Sequence, residues 1–340
     1  MTDNRIRLIR SWLDNLFEGQ RYTLVSASAD ASFRRYFRVN WPQGQAIVMD
    51  APPEREDSKP FFTIAKAMRA IGLNVPEIIV GDCERGLALL SDLGSLHYLQ
   101  ALNDETADRL YDEAMAALLR LQIGALELDL PDYDETLLQT EMSLFPDWLL
   151  ARQLGLELDD TERATLDETR QRLTSSALEQ PKVTVHRDYH SRNLMALPEG
   201  GPGIIDFQDA VIGPVTYDLV SLLRDCYIAW PEERVTEWVN RYFERARAAD
   251  LIGRDIEQAT FTRWFDWMGL QRHLKAAGIF ARLNLRDGKP GYLDDIPRTL
   301  GYLCRVSARY PELEGFHNLM VRVVINEAGT REKIQDTRVK

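Results

Sequence analysis

The first hydrophobic positions of the chain repeat with the period of an α-helix. Ile6, Ile9, Leu13 and Leu16 share one face, so the chain is predicted to open with a helix. The pattern then changes to the β-type runs SFRRYFRVN (32–40) and QAIVMD (45–50), which the turn-like WPQG joins. This change predicts the start of a sheet.

The sheet is predicted to be small and mostly antiparallel, with one inserted helix. A charged, proline-rich loop (52–60) precedes a helical pattern over residues 60–71. PEIIVGD (76–82) and GLALLSDLG (86–94) then read as two more strands around a short turn.

Beyond residue 94 the hydrophobic pattern is mostly helical. Helical spacing covers residues 104–122, 134–154 and 160–178, and it resumes from 216 to the end. We therefore predict an α+β fold in two lobes, a β-rich lobe over 1–92 and a larger helical lobe over 93–340, with the boundary in SDLG (91–94).

Composition excludes several classes of protein. The chain has 340 residues and a formal net charge of −12, which argues against binding nucleic acid or an anionic membrane as its main role. Its three cysteines lie far apart, so neither a disulfide framework nor a zinc site fits. No apolar run reaches the roughly 18 residues of a membrane span, and the first helix is amphipathic, unlike a signal peptide. We expect a cytoplasmic monomer.

Two polar loops between short apolar strands carry the candidate chemistry. The first lies in VTVHRDYHSRNLM (183–195) and the second in GIIDFQD (203–209). Asp188 is placed to accept a proton from a substrate hydroxyl, while Asn193 and Asp206 offer the oxygen ligands that Mg²⁺ prefers. Phosphoryl transfer needs this combination of a positioned nucleophile and metal ligands. The alternative is an ordinary polar loop, in which such residues cap turns.

The two loops resemble those of a known fold. HRDYHSRN followed by IIDFQD resembles the catalytic and metal loops of the protein-kinase-like fold, and the resemblance covers nearly the whole chain. A helix, TYDLVSLLRD (216–225), follows Asp206 so closely that no long activation segment fits, which is typical of the aminoglycoside phosphotransferase and choline kinase family. The resemblance implies that Asp218 braces the catalytic loop, that His186 buttresses it, and that ATP and Mg²⁺ are the cofactors.

The first lobe departs from the family's pattern. Met49 or Asp50 stands where the third strand should carry a lysine, the helix FFTIAKAMRA lacks its glutamate partner, and the glycine-rich loop is missing. Either the chain is a degenerate, inactive kinase or another cation grips the phosphates. The candidates are Arg34, Arg35 and Lys59.

Adjacent strand residues face opposite sides, so only one of the two neighbouring arginines can point at the nucleotide, and an exposed basic edge strand is the alternative for both. The family's layout implies a hinge over residues 89–94 that meets adenine, with Ser91, Asp92 and Leu93 as its contact residues.

The substrate is inferred from resemblance alone. SFRRYFR, HRDYHSRNLM, MGLQRHLKAAGIFARL and RDGKPGYLDDIPR most resemble a bacterial group of cell-wall-recycling kinases that phosphorylate N-acetylmuramate and N-acetylglucosamine on the anomeric hydroxyl. An N-acetylmuramate carboxylate calls for a cation, and the expected substrate-binding residues are His190, Arg192, Arg272 and His273. Trp264 and Trp267 could stack on a sugar or belong to the core. Two alternatives stay open, a kinase of another small alcohol, such as an aminoglycoside or choline, and a non-catalytic nucleotide-binding module.

Overall fold

The computed structural model describes residues 4–28, 34–124, 126 and 128–338. It begins with helix α1 (Asn4–Leu16) and five antiparallel strands in the order β1-β2-β3-β5-β4. The strands are β1 (Thr23–Ser28), β2 (Arg35–Trp41), β3 (Gly44–Asp50), β4 (Ile78–Asp82) and β5 (Leu87–Leu90), and helix α2 (Lys59–Ala70) is inserted between β3 and β4. The prediction of a small antiparallel lobe with one inserted helix is confirmed.

The two faces of this sheet are covered by different elements. Val39 and Val48 pack with Ile9 and Leu13 of α1 on one face. Met49 belongs instead to the large core cluster that includes Phe61 of α2 and continues into the second lobe. Because side chains alternate along a strand, the face of α1 and the face of α2 take alternate residues of β2 and β3.

The second lobe is mostly helical, as expected. Its helices are α3 (Tyr98–Ala101), α4 (Ala107–Ile123), α5 (Glu135–Leu144), α6 (Asp160–Leu178), α7 (Tyr217–Leu223), α8 (Glu232–Ala248), α9 (Gln258–Asp287), α10 (Ile296–Ser307) and α11 (Glu314–Arg338). Four short strands form two antiparallel pairs, β6 (Lys182–Val185) with β9 (Val211–Pro214) and β7 (Leu194–Met195) with β8 (Gly203–Ile204). None of the helices in the described part of the chain is long and apolar enough to span a membrane.

One expected helix changes its winding. Residues 134–154 are α5 followed by a π-helical segment, Phe145–Leu154. Pro146 lies at the start of this segment and has no N–H to donate to the preceding turn. Gly278 of α9 approaches so closely that an added Cβ would lie 2.3 Å from the backbone carbon of Leu144. The wider turn therefore coincides with a missing backbone donor and a close helix–helix contact.

Candidate functional site

The two polar loops meet at one end of the paired short strands. The loop over residues 186–193 connects β6 to β7, and the loop over 205–210 connects β8 to β9. The β6–β9 and β7–β8 pairings bring the loops side by side. The Ile205 N–H donates to the carbonyl of Asn193 at 3.1 Å, and the His186 ring contacts the carbonyl of Ile205 at 3.1 Å. The structure thus brings the two motifs into one site.

Asp188, Asn193 and Asp206 lie together in this site. Asn193 Nδ2 donates to the backbone carbonyl of Asp188 at 3.0 Å and lies 3.4 Å from Asp206 Oδ2. Because the amide nitrogen makes these contacts, the amide oxygen of Asn193 remains for another ligand. One carboxylate and one amide oxygen form a sparse, hard donor set that fits Mg²⁺, which keeps several of its waters. These residues therefore fit the metal that the fold implies.

Two residues of the loops have a left-handed backbone. The φ angles are +76° at Arg187 and +67° at Asp206. For a residue with a side chain this conformation costs on the order of 1–3 kcal/mol and persists only where the surroundings enforce it. The Asp206 side chain accepts from Gln208 Nε2 at 2.9 Å, and the Arg187 N–H donates to Asp218 Oδ1 at 3.0 Å. Neighbouring side chains thus hold both residues.

Asp218 lies beneath the first loop. Its carboxylate accepts from the backbone N–H groups of His186, at 2.6 Å, and Arg187, at 3.0 Å, and it has no exposed surface. Burial raises the pKa of Asp218 to about 7, against the two amide donors that favour the charged form. Asp218 is thus in contact with the backbone just before Asp188.

His186 is also fully buried, between the two loops. Its Nδ1 accepts from the Asp188 N–H at 3.2 Å, and its Nε2 contacts the Ile205 carbonyl. This pair of partners requires a neutral ring with its proton on Nε2. Burial lowers the pKa of His186 to about 4, which keeps the ring neutral at pH 7.

Buried positive charges surround Asp188. Burial alone would raise the pKa of its carboxyl, but Lys275, His190 and Arg272 outweigh burial and lower the pKa below its ordinary value. Asp188 is therefore ionised at neutral pH and able to accept a proton.

Lys275 belongs to a buried network of ion pairs and hydrogen bonds that the sequence did not predict. Lys275 Nζ lies 2.8 Å from Glu141 Oε1 and 2.9 Å from the Tyr217 hydroxyl, and Arg187 lies 2.5 Å from the same Glu141 oxygen. Tyr133 donates to the other Glu141 oxygen. Glu141 is distant in sequence from both loops, so no local signal could have identified it.

A second missed carboxylate holds the far end of the loop. Asp225 Oδ2 accepts from the N–H of Ser191 at 2.9 Å and from its hydroxyl at 2.5 Å, and Asp225 Oδ1 accepts from the N–H of Tyr227 at 2.8 Å. Asp225 is 1 % exposed. It is the last residue of the quoted TYDLVSLLRD, but nothing in its spacing marks it as different from a surface aspartate.

The four expected substrate residues occupy different environments. His190 is buried, and its ring meets Tyr227 edge-on at 5.2 Å. Arg192 is partly exposed and lies over the Tyr227 ring at 3.6 Å. Arg272 is buried, with Nη1 3.7 Å from Cys226 Sγ. The first three thus cluster around the loop.

His273 does not lie in the site, which corrects the expectation that it contacts substrate. It has no exposed surface, stacks on Tyr302 at 4.6 Å, and contacts the backbone carbonyl of Arg224 at 2.9 Å. Burial lowers its pKa to about 3. Trp264 and Trp267 are likewise buried in the core and not available to stack on a sugar.

The register of β2 decides which arginine faces the cleft between the lobes. Tyr36 pairs with Met49 and Arg35 with Asp50. Asp50 is fully buried on the α1 side of the sheet, where it forms ion pairs with Arg5, at 2.5 Å, and Arg35, at 2.6 Å. Arg35 is therefore corrected as a candidate for the nucleotide phosphates, because it points away from the cleft. Met49, one of the two positions at which the resemblance expects a lysine, lies on the other side, in the core cluster that contains Phe61.

Arg34 lies on the opposite, cleft-facing side. Its guanidinium lies 2.6 Å from Glu56 Oε1 and 5.9 Å from the centre of the Phe61 ring, which in turn stacks on Phe207 at 5.0 Å. Lys59, the third candidate, is exposed at the start of α2. The segment that replaces the glycine-rich loop includes residues 29–33, which lie outside the described residues.

The expected hinge residues connect the two lobes. Ser91 exchanges hydrogen bonds with Glu77, at 2.9 Å through its N–H and 2.8 Å through its hydroxyl. Asp92 forms an ion pair with Arg38 at 2.5 Å, and Leu93 lies close to Gly203 of β8. The side chains of Ser91 and Asp92 are thus engaged with protein.

Comparison with known proteins identifies the family. Residues 23–256 match the family described as "Phosphotransferase enzyme family". The chain belongs to this family. It is therefore a phosphotransferase, and the resemblance found in the two loops is confirmed.

A relative and two solved structures extend this likeness. A Pseudomonas putida protein named "N-acetylmuramate/N-acetylglucosamine kinase" is 44% identical over 339 residues, which cover 97% of this chain and 98% of the relative. A choline kinase from Streptococcus pneumoniae has a TM-score of 0.63 at 13% identity and covers 91% of this chain and 100% of its own. An ADP-bound aminoglycoside phosphotransferase has a TM-score of 0.58 at 16% identity and covers 86% and 96%. The protein-kinase-like fold is thus confirmed.

The first lobe holds an ion pair in the region where the resemblance expects a lysine and a glutamate. Arg34, just before β2, and Glu56, just before α2, bring a cation and a carboxylate together. The sequence offers Arg34 as one of three candidate cations, and the family's layout places the partner carboxylate within the helix. Glu56 lies three residues before that helix begins and was missed for that reason.

Proposed function

We propose that this phosphotransferase is an ATP-dependent kinase of N-acetylmuramate and N-acetylglucosamine, acting on the anomeric hydroxyl in the recycling of cell-wall sugars. The observation that supports it most is the grouping of Asp188, Asn193 and Asp206 within two adjoining loops, the first of which Asp218 and Asp225 hold. The near full-length likeness to the Pseudomonas putida kinase supports the sugar substrates.

The proposed mechanism assigns each residue of the site a step. Asp188 accepts the proton of the sugar hydroxyl as its oxygen forms a bond to the γ-phosphorus of ATP. The bond between that phosphorus and the bridging oxygen breaks, and ADP leaves with the electron pair. Asp206 and Asn193 would hold Mg²⁺, whose positive charge offsets the charge of the phosphate oxygens when it is bound.

Arg34 is the cation that we propose for the phosphates in place of the missing lysine. It lies just before β2 on the cleft side of the sheet, where Glu56 and Phe61 hold its guanidinium and leave the residue 4 % exposed, so its charge would act from beneath the phosphates. Lys59 stays a candidate because it is exposed at the start of α2. Backbone groups at Ser91, Asp92 and Leu93 would meet the adenine.

The choice of the anomeric hydroxyl agrees with the strength of the base. The ring oxygen withdraws electron density, so this hydroxyl is the most acidic in the sugar. The buried charges around Asp188 lower its pKa and make it a weak base, which suits the more acidic proton. A loose transition state demands little activation of the nucleophile in any case.

The location and oligomeric state belong to the same proposal. A kinase of recycled sugars would work in the cytoplasm, where ATP is available, and the free thiols of Cys83, Cys226 and Cys304 agree with a reducing compartment. We propose that it acts as a monomer, with a nucleotide lobe over residues 1–92 and a catalytic lobe over 93–340.

The test is to locate the transferred phosphate. The protein is incubated with Mg-ATP and N-acetylglucosamine, N-acetylmuramate or their 1-O-methyl glycosides, and the product is analysed by ³¹P–¹H coupling. We expect phosphate on C1 of both free sugars and no reaction of the methyl glycosides. Phosphate on another carbon would refute the anomeric assignment. Choline and an aminoglycoside serve as comparison substrates, and a preference for either would refute the sugar assignment.

A further inference from the structure

Arg192 lies beside the catalytic loop against a group of aromatic side chains. Its guanidinium carbon is 3.6 Å from the centre of the Tyr227 ring and 5.7 Å from that of Tyr292. Tyr292 in turn stacks on Phe280 of α9 at 5.7 Å. Arg192, Tyr227, Phe280 and Tyr292 thus form one packed group.

The backbone of Arg192 is fixed from both sides. The preceding residue, Ser191, is bound by the buried Asp225, and the Arg192 carbonyl accepts from His97 Nδ1 at 2.7 Å. The following residue is Asn193, whose N–H donates to the His190 carbonyl at 2.9 Å. The guanidinium therefore extends from a rigid loop and stacks on an aromatic ring, which limits the entropy it would lose on binding an anion.

The positive charge of Arg192 is only partly neutralised. Its contact to Asp295 is long, at 3.8 Å, and Asp295 is held more closely by Arg298 at 2.8 Å. Over the described residues, Arg192 makes no side-chain hydrogen bond within 3.5 Å, and its side chain is 42% exposed. Its donors are thus available to a carboxylate, which a guanidinium can bind with two parallel hydrogen bonds.

The other cations near Asp188 are less available. Lys275 is 8% exposed and bound to Glu141 and Tyr217. Arg272 is 6% exposed, and its charge acts on Asp188 and Asp225. These two cations of α9 are placed to act on the base, whereas Arg192 faces solvent.

His190, two residues before Arg192, supplies a second polar group at the same place. It is 9% exposed, and its Nδ1 has no hydrogen-bond partner among the described residues. The loop folds back between Asp188 and Asn193, because the His190 N–H donates to the Asp188 carbonyl at 3.0 Å. Asp188 and Arg192 are four residues apart, at most about 14 Å along the chain, and the charges of both act on the His190 ring between them.

We propose that Arg192 binds the lactyl carboxylate of N-acetylmuramate and thereby sets the preference of this enzyme between its two sugars. N-acetylmuramate differs from N-acetylglucosamine only by a lactyl ether at O3, which carries one negative charge. A cation that is fixed in place and partly exposed beside the catalytic base can distinguish them by this charge alone. The inference rests on the proposed function, since it requires both sugars to be substrates.

The test compares kcat/KM for both sugars in the wild type, in Arg192→Met and in a matched control, Arg263→Met. Arg263 also stacks on an aromatic ring, Trp267 at 4.0 Å, forms an ion pair with Glu312, and is 43% exposed. We expect Arg192→Met to lower kcat/KM for N-acetylmuramate about 10- to 100-fold, the usual loss for a hydrogen bond to a charged group. N-acetylglucosamine should change less than about twofold, and Arg192→Lys should recover part of the loss.

The outcomes separate the two proposals. Equal losses for both sugars, or no loss for N-acetylmuramate, would overturn the role of Arg192 while leaving the kinase function intact. A wild type that phosphorylates neither sugar would overturn the proposed function and this inference with it. The Arg263→Met variant should behave as the wild type toward both sugars, and a matching loss there would also overturn the assignment to Arg192.

Discussion

Replacing Asp218 by asparagine should impair both catalysis and stability. The carboxylate has no exposed surface and accepts the backbone N–H groups of His186 and Arg187. Asparagine has nearly the same shape, but its amide keeps one acceptor oxygen and turns an NH₂ group toward the other N–H donor. The substitution therefore leaves one buried donor without a partner.

The magnitude follows from this lost bond and from the strained backbone beside it. A hydrogen bond to a charged group is worth about 1.5–3 kcal/mol, and the left-handed conformation of Arg187 costs on the order of 1–3 kcal/mol that its neighbours must offset. We expect a loss of about 2–4 kcal/mol in the free energy of unfolding. If Arg187 relaxes, the next residue, Asp188, moves, and a misplacement of about 1 Å can cost roughly 100-fold in kcat.

The assay should separate these two effects. Initial rates with both sugars and thermal melts are measured at pH 8, where Asp218, whose pKa is about 7, is ionised. At pH 6 the wild-type carboxyl is largely protonated, so the difference between wild type and Asp218→Asn should shrink. Asp266→Asn is the control, because Asp266 is 1 % exposed and bound to Arg224 and Tyr310, away from the loops. The reasoning is refuted if Asp218→Asn melts lower but keeps the kcat of the wild type at pH 8.

Four further outcomes are expected. Asp188→Asn should lower kcat by about 10²- to 10⁴-fold, with the Kd for Mg-ATP nearly unchanged, since only proton acceptance is lost; calorimetry and initial rates check both, and near wild-type turnover would remove Asp188 from the mechanism. Asp206→Ala should abolish turnover and weaken Mg²⁺-dependent nucleotide binding, and normal binding would contradict its role as a metal ligand. Arg34→Met should raise the KM for ATP about tenfold or more, whereas Arg35→Met, the matched control on the other face, should leave it near the wild-type value; the reverse order would contradict the assignment. Lowering the pH should reduce the free energy of unfolding, and the midpoint of urea unfolding should fall with it. His186 and His273 have folded pKa values of about 4 and 3, below the ordinary value of 6.5, so their contribution is lost as the pH falls from about 6.5 toward those values. Asp218, with its raised pKa, opposes part of this loss between about pH 7 and 4, and a His273→Gln variant with an unchanged pH dependence would argue against the buried ring as a cause.

The two polar loops of the candidate site could be predicted from sequence because their signal is local. Polar residues between short apolar strands must lie at strand ends, and the spacing of Asp188, Asn193 and Asp206 lies within 19 residues of chain. Their contacts are made through backbone groups of the same two loops. A short-range pattern therefore carries most of the information about this part of the site.

The resemblance supplied Asp218 and His186, but two other supporting residues could not be predicted, because tertiary packing brings them to the loops. Glu141 reaches Arg187 across 46 residues of sequence, and Asp225 reaches Ser191 across 34. The basic residues of α9 predicted cations near the substrate. They did not predict where each side chain points, because that depends on how the helix is rotated about its axis. That rotation places Lys275 beside Glu141 and buries His273 against Tyr302.

The choice between Arg34 and Arg35 shows what side-chain alternation along a strand predicts and what only the pairing of the strands decides. Alternation along a strand requires the two side chains to face opposite ways, but it does not say which faces the nucleotide. The pairing of Arg35 with Asp50, which lies against Arg5 of α1, fixes that choice. At the end of β3, Asp50 is thus a buried carboxylate that holds α1 to the sheet.

The Arg34–Glu56 pair then bears on how this lobe could act without the usual lysine and glutamate. Arg34 lies just before β2, whereas the family's lysine is expected on the third strand, and Glu56 lies before α2, whereas the glutamate is expected within the helix. Phe61 of α2 lies between this pair and Phe207, the residue after Asp206. A movement of α2 would therefore change the position of Arg34 and of the loop that carries Asp206 together. One helix, α2, thus supplies the ring that contacts both Arg34 and Phe207, the neighbour of Asp206.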